Sequence, residues 1–129
     1  MKTIIAGSRQ IHDRNVLEEA LRSCHFTPLI TEVVSGCASG VDQLGEKWAI
    51  EKGIPISRFP ADWDLHGKAA GPIRNRQMAQ YANALIAIPN PYGPSPGTQD
   101  MIRQAGKAGL AVYVHIVGNP LILQQVLSD

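Results

Sequence analysis

The chain has 129 residues, of which 44% are apolar and 18% charged, and its net charge is +1. That length suits one domain over residues 1–129, the apolar share excludes disorder, and the charge balance leaves any nucleic-acid role to a local patch. The longest unbroken apolar runs, Ala84–Ile88 and Leu110–Val114, fall far short of the ~20 residues of a membrane-spanning helix. Cys24 and Cys37 are too few for a disulfide framework and form no CxxC pair. The expected setting is therefore the reducing cytoplasm, with no metal and no membrane association. Gly7-Ser8-Arg9 interrupts the first apolar run before it reaches the length of a signal peptide.

In chain order, Thr3–Ala6 reads as a buried strand running into Gly7-Ser8-Arg9. Asp13 can cap a helix whose apolar face is Val16, Leu17, Ala20, Leu21 and Cys24. Leu29–Ser35 is a second strand, followed by the small-residue turn Gly36–Gly40. Val41, Leu44, Trp48 and Ala49 recur at helical spacing, and Gly53 stands where a C-terminal cap belongs. Ile54–Phe59 is a third strand, and residues 60–76 read as a long loop entering a helix near Pro72, with Ile73, Met78, Tyr81 and Ala82 on its apolar side. Ala84–Ile88 has the unbroken apolar character of a central parallel strand. Pro89–Gly97 is a proline-rich loop, after which Thr98 can cap a helix bearing Met101, Ile102 and Ala105. Leu110–Val117 is a fifth strand, and Pro120–Leu127 a short terminal helix.

This alternation predicts an α/β fold: a single-domain, three-layer Rossmann-like arrangement of about five mostly parallel strands with helices on both faces. Ligands of such sheets bind beyond the carboxyl ends of the strands. The loops to read are therefore 7–9, 35–42, 60–76 and 89–98. Three of them are rich in Gly, Ser or Thr where a strand meets a helix. Such loops bring backbone N–H groups close to an anion at a helix N-terminus, so together they suggest a phosphate-bearing ligand. The alternative is that short turns need small residues anyway. Neither GxGxxG nor GxxxxGK[ST] occurs.

Taken in order, Gly7-Ser8-Arg9, Ser35-Gly36 with Gly40-Val41-Asp42, Gly71-Pro72-Ile73-Arg74-Asn75 and Gly97-Thr98 resemble the SLOG superfamily. Within it they are most similar to the small stand-alone YspA-like branch of bacteria and phages. The resemblance spans residues 3–116 and implies a modified Rossmann sheet that binds nucleotides or nucleotide-like ligands. The superfamily also includes the Lonely guy phosphoribohydrolases and the DNA-processing protein A family. Lonely guy enzymes carry an Arg-Lys pair at a helix start and a Pro-Gly-Gly-x-Gly-Thr-x-x-Glu segment. Arg74 falls on that Arg, Asn75 replaces the Lys, and Gly97-Thr98 fall on the Gly-Thr. Met101 stands where the catalytic Glu belongs, with Asp100 one residue earlier. One residue is about 100° around a helix, so Asp100 and Met101 face different ways. The resemblance thus keeps the binding half of the motif and loses the chemical half.

The ligand-binding candidates are Gly7, Ser8, Arg9, Ser35, Gly36, Gly40, Asp42, Trp63, Lys68, Arg74, Asn75, Gly97 and Thr98. Should catalysis survive, the candidates are Arg74, Asp100 and Asp42. Trp63 either stacks on a base or packs over the edge of the core. Lys68 and Arg74 can pair phosphate; Arg76, two residues on, faces elsewhere. His66 lies in a site loop without ligand spacing; a helix N-terminus could lower the pKa of Cys37, but with no base placed beside it Cys37 reads first as a plain small residue of the turn. The expected function is a nucleotide-binding or sensing domain that needs no cofactor. The alternative is an N-glycosidase acting on nucleoside monophosphates through a relocated carboxylate. Single-strand DNA binding is disfavoured, because two Trp, three Tyr and two Phe beside a near-neutral charge give few stacking platforms and no basic track. The default partner beyond a nucleotide-like small molecule is a second copy, as a homodimer.

Overall fold

The computed structural model describes residues 1–118. Five parallel strands, β1 (Lys2–Gly7), β2 (Glu32–Ser35), β3 (Ile56–Arg58), β4 (Ala84–Ile88) and β5 (Ala111–Val114), form one sheet in the order β3-β2-β1-β4-β5. Around it lie α1 (Arg14–Ser23), α2 (Val41–Lys52), the single turn α3 (Trp63–His66), α4 (Ala70–Tyr81) and α5 (Pro96–Lys107). This is the Rossmann-like α/β fold that the alternation predicts.

Period-2 alternation on the central strands builds the layers. Ile5, Ala84, Ile86 and Ile88 join the core beneath α1 and α2, with Leu17, Leu21 and Trp48. Ile4, Ala6, Leu85 and Ala87 join the opposite core beneath α4 and α5, with Met78, Met101 and Ala105. Every residue of β4 is buried, which explains its lack of alternation. From β1 the chain steps outward to β2 and β3, then returns past them to β4 and on to β5. Right-handed crossovers in opposite directions put helices on opposite faces. The reversal lies between β1 and β4, so the loops after these two strands part to opposite sides and leave a cleft.

Several boundaries differ from the expectation. Asp13 caps α1 as expected, accepting from the Asn15 N–H at 2.9 Å. Leu29, expected to open the second strand, instead closes a 3₁₀ turn at Thr27–Leu29 that carries Pro28, and the strand begins at Glu32. The segment expected as a long loop is mostly helical: Asp62 caps α3, accepting from the Leu65 N–H at 3.0 Å, and a 3₁₀ turn at Gly67–Ala69 leads into α4. Ser95, not Thr98, holds the cap position of α5, because Pro96 can open the helix without an N–H. The third and fifth strands are shorter than expected. The expected helix over Pro120–Leu127 lies outside the described residues. No helix among the described residues is long and apolar enough to cross a membrane.

Candidate functional site

A cleft of about 470 Å³ opens where β1 and β4 diverge. Its floor is tied together by main chain. The Ser8 N–H donates to Ile88 O at 2.9 Å, and Ser8 O accepts from the Val41 N–H at 3.1 Å. The ends of β1 and β4 and the start of α2 are thereby locked to one another. Gly40 permits this: its φ is +78°, and a Cβ there would stand 2.2 Å from Ser8 O.

Of the sequence-predicted site residues, Gly7, Ser8, Arg9, Asp42, Trp63, Lys68, Arg74, Asn75, Gly97 and Thr98 line this cleft. Ser35, Gly36 and Gly40 do not; they build its wall. Ser35 donates its hydroxyl to Glu46 at 2.6 Å and accepts from the Cys37 N–H at 3.1 Å. A Cβ on Gly36 would meet Arg74 Nη1 at 2.7 Å and Asp42 Oδ2 at 2.9 Å, so that glycine makes room for both side chains. The small residues expected to cradle the ligand here instead serve close packing.

Two charged groups of the cleft, Arg74 and Asp42, are engaged with protein. Arg74 donates from Nε to Asn75 Oδ1 at 3.0 Å and from Nη1 to Gly36 O. Burial works against its charge, while the nearby Asp42 carboxylate supports it. Asp42 is itself buried, and this pushes its carboxyl up to about 6, despite the Ala38 and Gly7 N–H donors and Arg74. A carboxyl titrating near neutrality at a cleft wall can hold or release a proton. Arg76 is exposed and does not line the cleft.

Asp100 and Met101 point apart, as the helical rotation predicts. Met101 lines the cleft. Asp100 turns aside: its Oδ2 accepts from Asn75 Nδ2 at 3.0 Å and its Oδ1 from Arg103. Asn75 also donates to Gly97 O at 3.2 Å, so it braces α4 against the start of α5.

The start of α5 is the uncommitted part of the site. Ser95 does not cap it with its side chain, because the hydroxyl accepts from the Asn90 N–H at 2.6 Å. The Gln99 N–H reaches back to Ser95 O at 2.8 Å, while Gly97 and Thr98 precede it and line the cleft. Free N–H groups at a helix start, with the helix dipole behind them, suit an anion.

The profile of the YspA, cpYpsA-related SLOG family matches residues 1–66. The Gene 61 protein of Mycobacterium phage D29 is 37% identical over 117 residues, covering 86% of this chain and 93% of that one. The chain belongs to the YspA, cpYpsA-related SLOG family. Among solved structures, the DNA processing protein A of Streptococcus pneumoniae shares the fold, with a TM-score of 0.68 and 18% identity. That match covers 96% of this chain and 56% of the other, so the chain spans a little over half the length of that neighbour.

SLOG membership points to nucleotide-related binding or processing, without specifying a ligand. The expectation against nucleic acid gains no support from a fold neighbour named for DNA processing. In this SLOG chain the sequence reasoning missed Gln10, Asn90 and Ser95, which also border the cleft. Asn90 and Ser95 fall in a loop read as a site and Gln10 just beyond one, but a lone amide or hydroxyl within a turn carries no distinguishing pattern. For Cys37, burial and then Glu46 push the thiol up, which fits a plain small residue of the turn and not an activated nucleophile. His66 is exposed and off the cleft, and His115 is buried, with Nδ1 3.1 Å from the Tyr113 hydroxyl. Among the described residues, no group of three His, Cys, Asp or Glu side chains gathers as metal ligands would.

Proposed function

We propose that the cleft binds a nucleotide or nucleotide-derived ligand through its phosphate and that the protein is a binding or sensing domain. The observation that carries this is the uncapped start of α5, where Gly97 and Thr98 face a cleft also bordered by Ser8, Arg9 and Lys68. Arg74, engaged with Gly36 and Asn75, shapes the wall and contributes its field. The same reading sets the protein in a reducing cytoplasm, where the free thiols Cys24 and Cys37 persist.

Calorimetry with adenosine monophosphate and ribose 5-phosphate tests it. A Cβ on Gly97 would meet nothing within 4 Å, so Gly97→Val should fold normally. It should crowd the anion position and weaken binding by more than about 1.5 kcal/mol, the lower worth of a hydrogen bond to a charged group. Unchanged affinity in this variant would move the phosphate elsewhere.

A second reading, carried over from the fold neighbour named for DNA processing, is a DNA strand as the occupant of the same cleft. Strand binding carries a steep salt dependence, which a mononucleotide would lack.

A further inference from the structure

Trp63 is 49% exposed, whereas the other tryptophan, Trp48, is 6% exposed. A ring this large left half in solvent needs a reason, since aromatic area is normally spent on packing. Trp63 is held in place from several directions. Asp62 fixes the turn that carries it. The ring rests beside Gly71, where a Cβ would lie 3.5 Å from Trp63 Cη2. The Arg9 guanidinium, from the loop after β1, stands 5.9 Å from the ring centroid. Arg9, Trp63, Lys68, Gly71 and Pro72 all border the one cleft. Residues far apart in sequence thus meet around an exposed aromatic face at the mouth of a cavity.

We propose that Trp63 and Arg9 form a jaw for an aromatic base, so that the ligand class is a nucleotide rather than a sugar phosphate or a free phosphate. This rests on the reading that the phosphate sits at the start of α5. Stacked rings place their centroids about 4.5–7 Å apart. A base on the open Trp63 face therefore takes the place the guanidinium now holds. Arg9, an exposed and flexible side chain, moves outward and stacks on the far side of the base, which a planar guanidinium does well. With the jaw empty, the Arg9 guanidinium keeps a cation–π contact with one face of the half-exposed indole until a base displaces it. The jaw reads the flat face of the ring and not its edge, so it accepts purines in general.

The test uses the full chain and two probes, adenosine monophosphate and ribose 5-phosphate, read by calorimetry and by tryptophan fluorescence. Trp48, on α2, is buried in the core, so a change in emission on binding reports Trp63. Adenosine monophosphate should alter the emission and bind at least ~10-fold more tightly than ribose 5-phosphate, as base stacking warrants. Trp63→Leu should abolish that difference and leave ribose 5-phosphate affinity unchanged, and Trp63→Phe should retain most of it. Equal affinity for the two probes in the wild type overturns the jaw while leaving phosphate binding intact. Parallel loss of both probes in Trp63→Leu overturns it in favour of a structural role. If neither these probes nor a short oligodeoxyadenylate binds the wild type, the phosphate reading falls and the jaw with it. A short oligodeoxyadenylate run beside the mononucleotide separates the two sources of the base. An altered emission with either supports the jaw, and the tighter one names the source.

Discussion

Met101 illustrates how far one side chain can decide a chemistry. It is 1% exposed and borders the cleft, at the position where the resemblance to phosphoribohydrolases places a glutamate. A thioether neither takes a proton nor stabilises an oxocarbenium ion, and Asp100 is held by Asn75 and Arg103 on another side of α5. Wild-type protein should therefore release adenine from adenosine monophosphate no faster than the solvent background. Met101→Glu places a carboxylate at the wall of the cleft that Arg74 also lines. It should raise the rate toward the ~10²–10⁴-fold that a positioned acid or base supplies. Chromatography of free adenine gives the answer. Brisk release by the wild type would overturn the binding-domain reading and bring forward Asp42, the carboxyl pushed up to about 6 at the same wall.

At the level of elements, the glycines that end strands and start helices carry unequal weight. Gly40 has φ +78° and ψ −127°, a region closed to other residues, and its missing Cβ clears Ser8 O. Gly53 has φ +70° at the end of α2, but nothing lies within 4 Å of its missing Cβ. Gly53→Ala should cost about 1–2 kcal/mol, the usual left-handed penalty. Gly40→Ala should exceed about 3 kcal/mol, because backbone strain and collision combine. Urea midpoints of the two variants measure the difference. Equal costs would mean that the Ser8–Val41 lock contributes nothing. The two glycines look alike in sequence, and this marks a limit of what is legible there. The order of elements, the buried β4 and the Asp13 cap were all legible, because periodicity and capping are local. The helical character of 63–69 was not, since two short turns rest on an Asp62 cap and on packing of Trp63 against Gly71 rather than on any period. Nor could sequence separate Gly97, which faces the cleft, from Gly36, which accommodates Arg74. Both are small residues in loops at the same sheet end, and only the packing around them differs.

For the molecule as a whole, the buried Asp42 sets a pH dependence. Its ordinary value is 3.8, the value expected in the unfolded chain, and in the folded protein burial raises it to about 6. Between those values the folded state holds a proton that the unfolded state has lost. Its stabilising contribution is complete below about 3.8 and is lost as pH rises through about 6. At about 1.4 kcal/mol for each pH unit between the two values, the loss is on the order of 3 kcal/mol. Asp42→Asn cannot ionise, so the wild type should lose stability relative to this variant across that window and hold a constant difference above it. Chemical unfolding of both proteins at pH 4, 5, 6 and 7 tests the sign. A relative gain by the wild type would show that Arg74 and the N–H donors outweigh burial.

The strand order has a consequence for how the protein is made. β1 pairs on one edge with β2, Thr3 opposite Val33, and on the other with β4, Thr3 opposite Ala84. As the chain leaves the ribosome, β1 gains its first neighbour early and waits for the second until most of the polypeptide has been synthesised. Through that interval a hydrophobic strand exposes a row of unpaired N–H and C=O groups, the template on which foreign strands add. The rims of the cleft are subject to the same delay, because Ser8 is in place long before Gly97 and Thr98 emerge. The cleft is therefore complete only once α5 has been added.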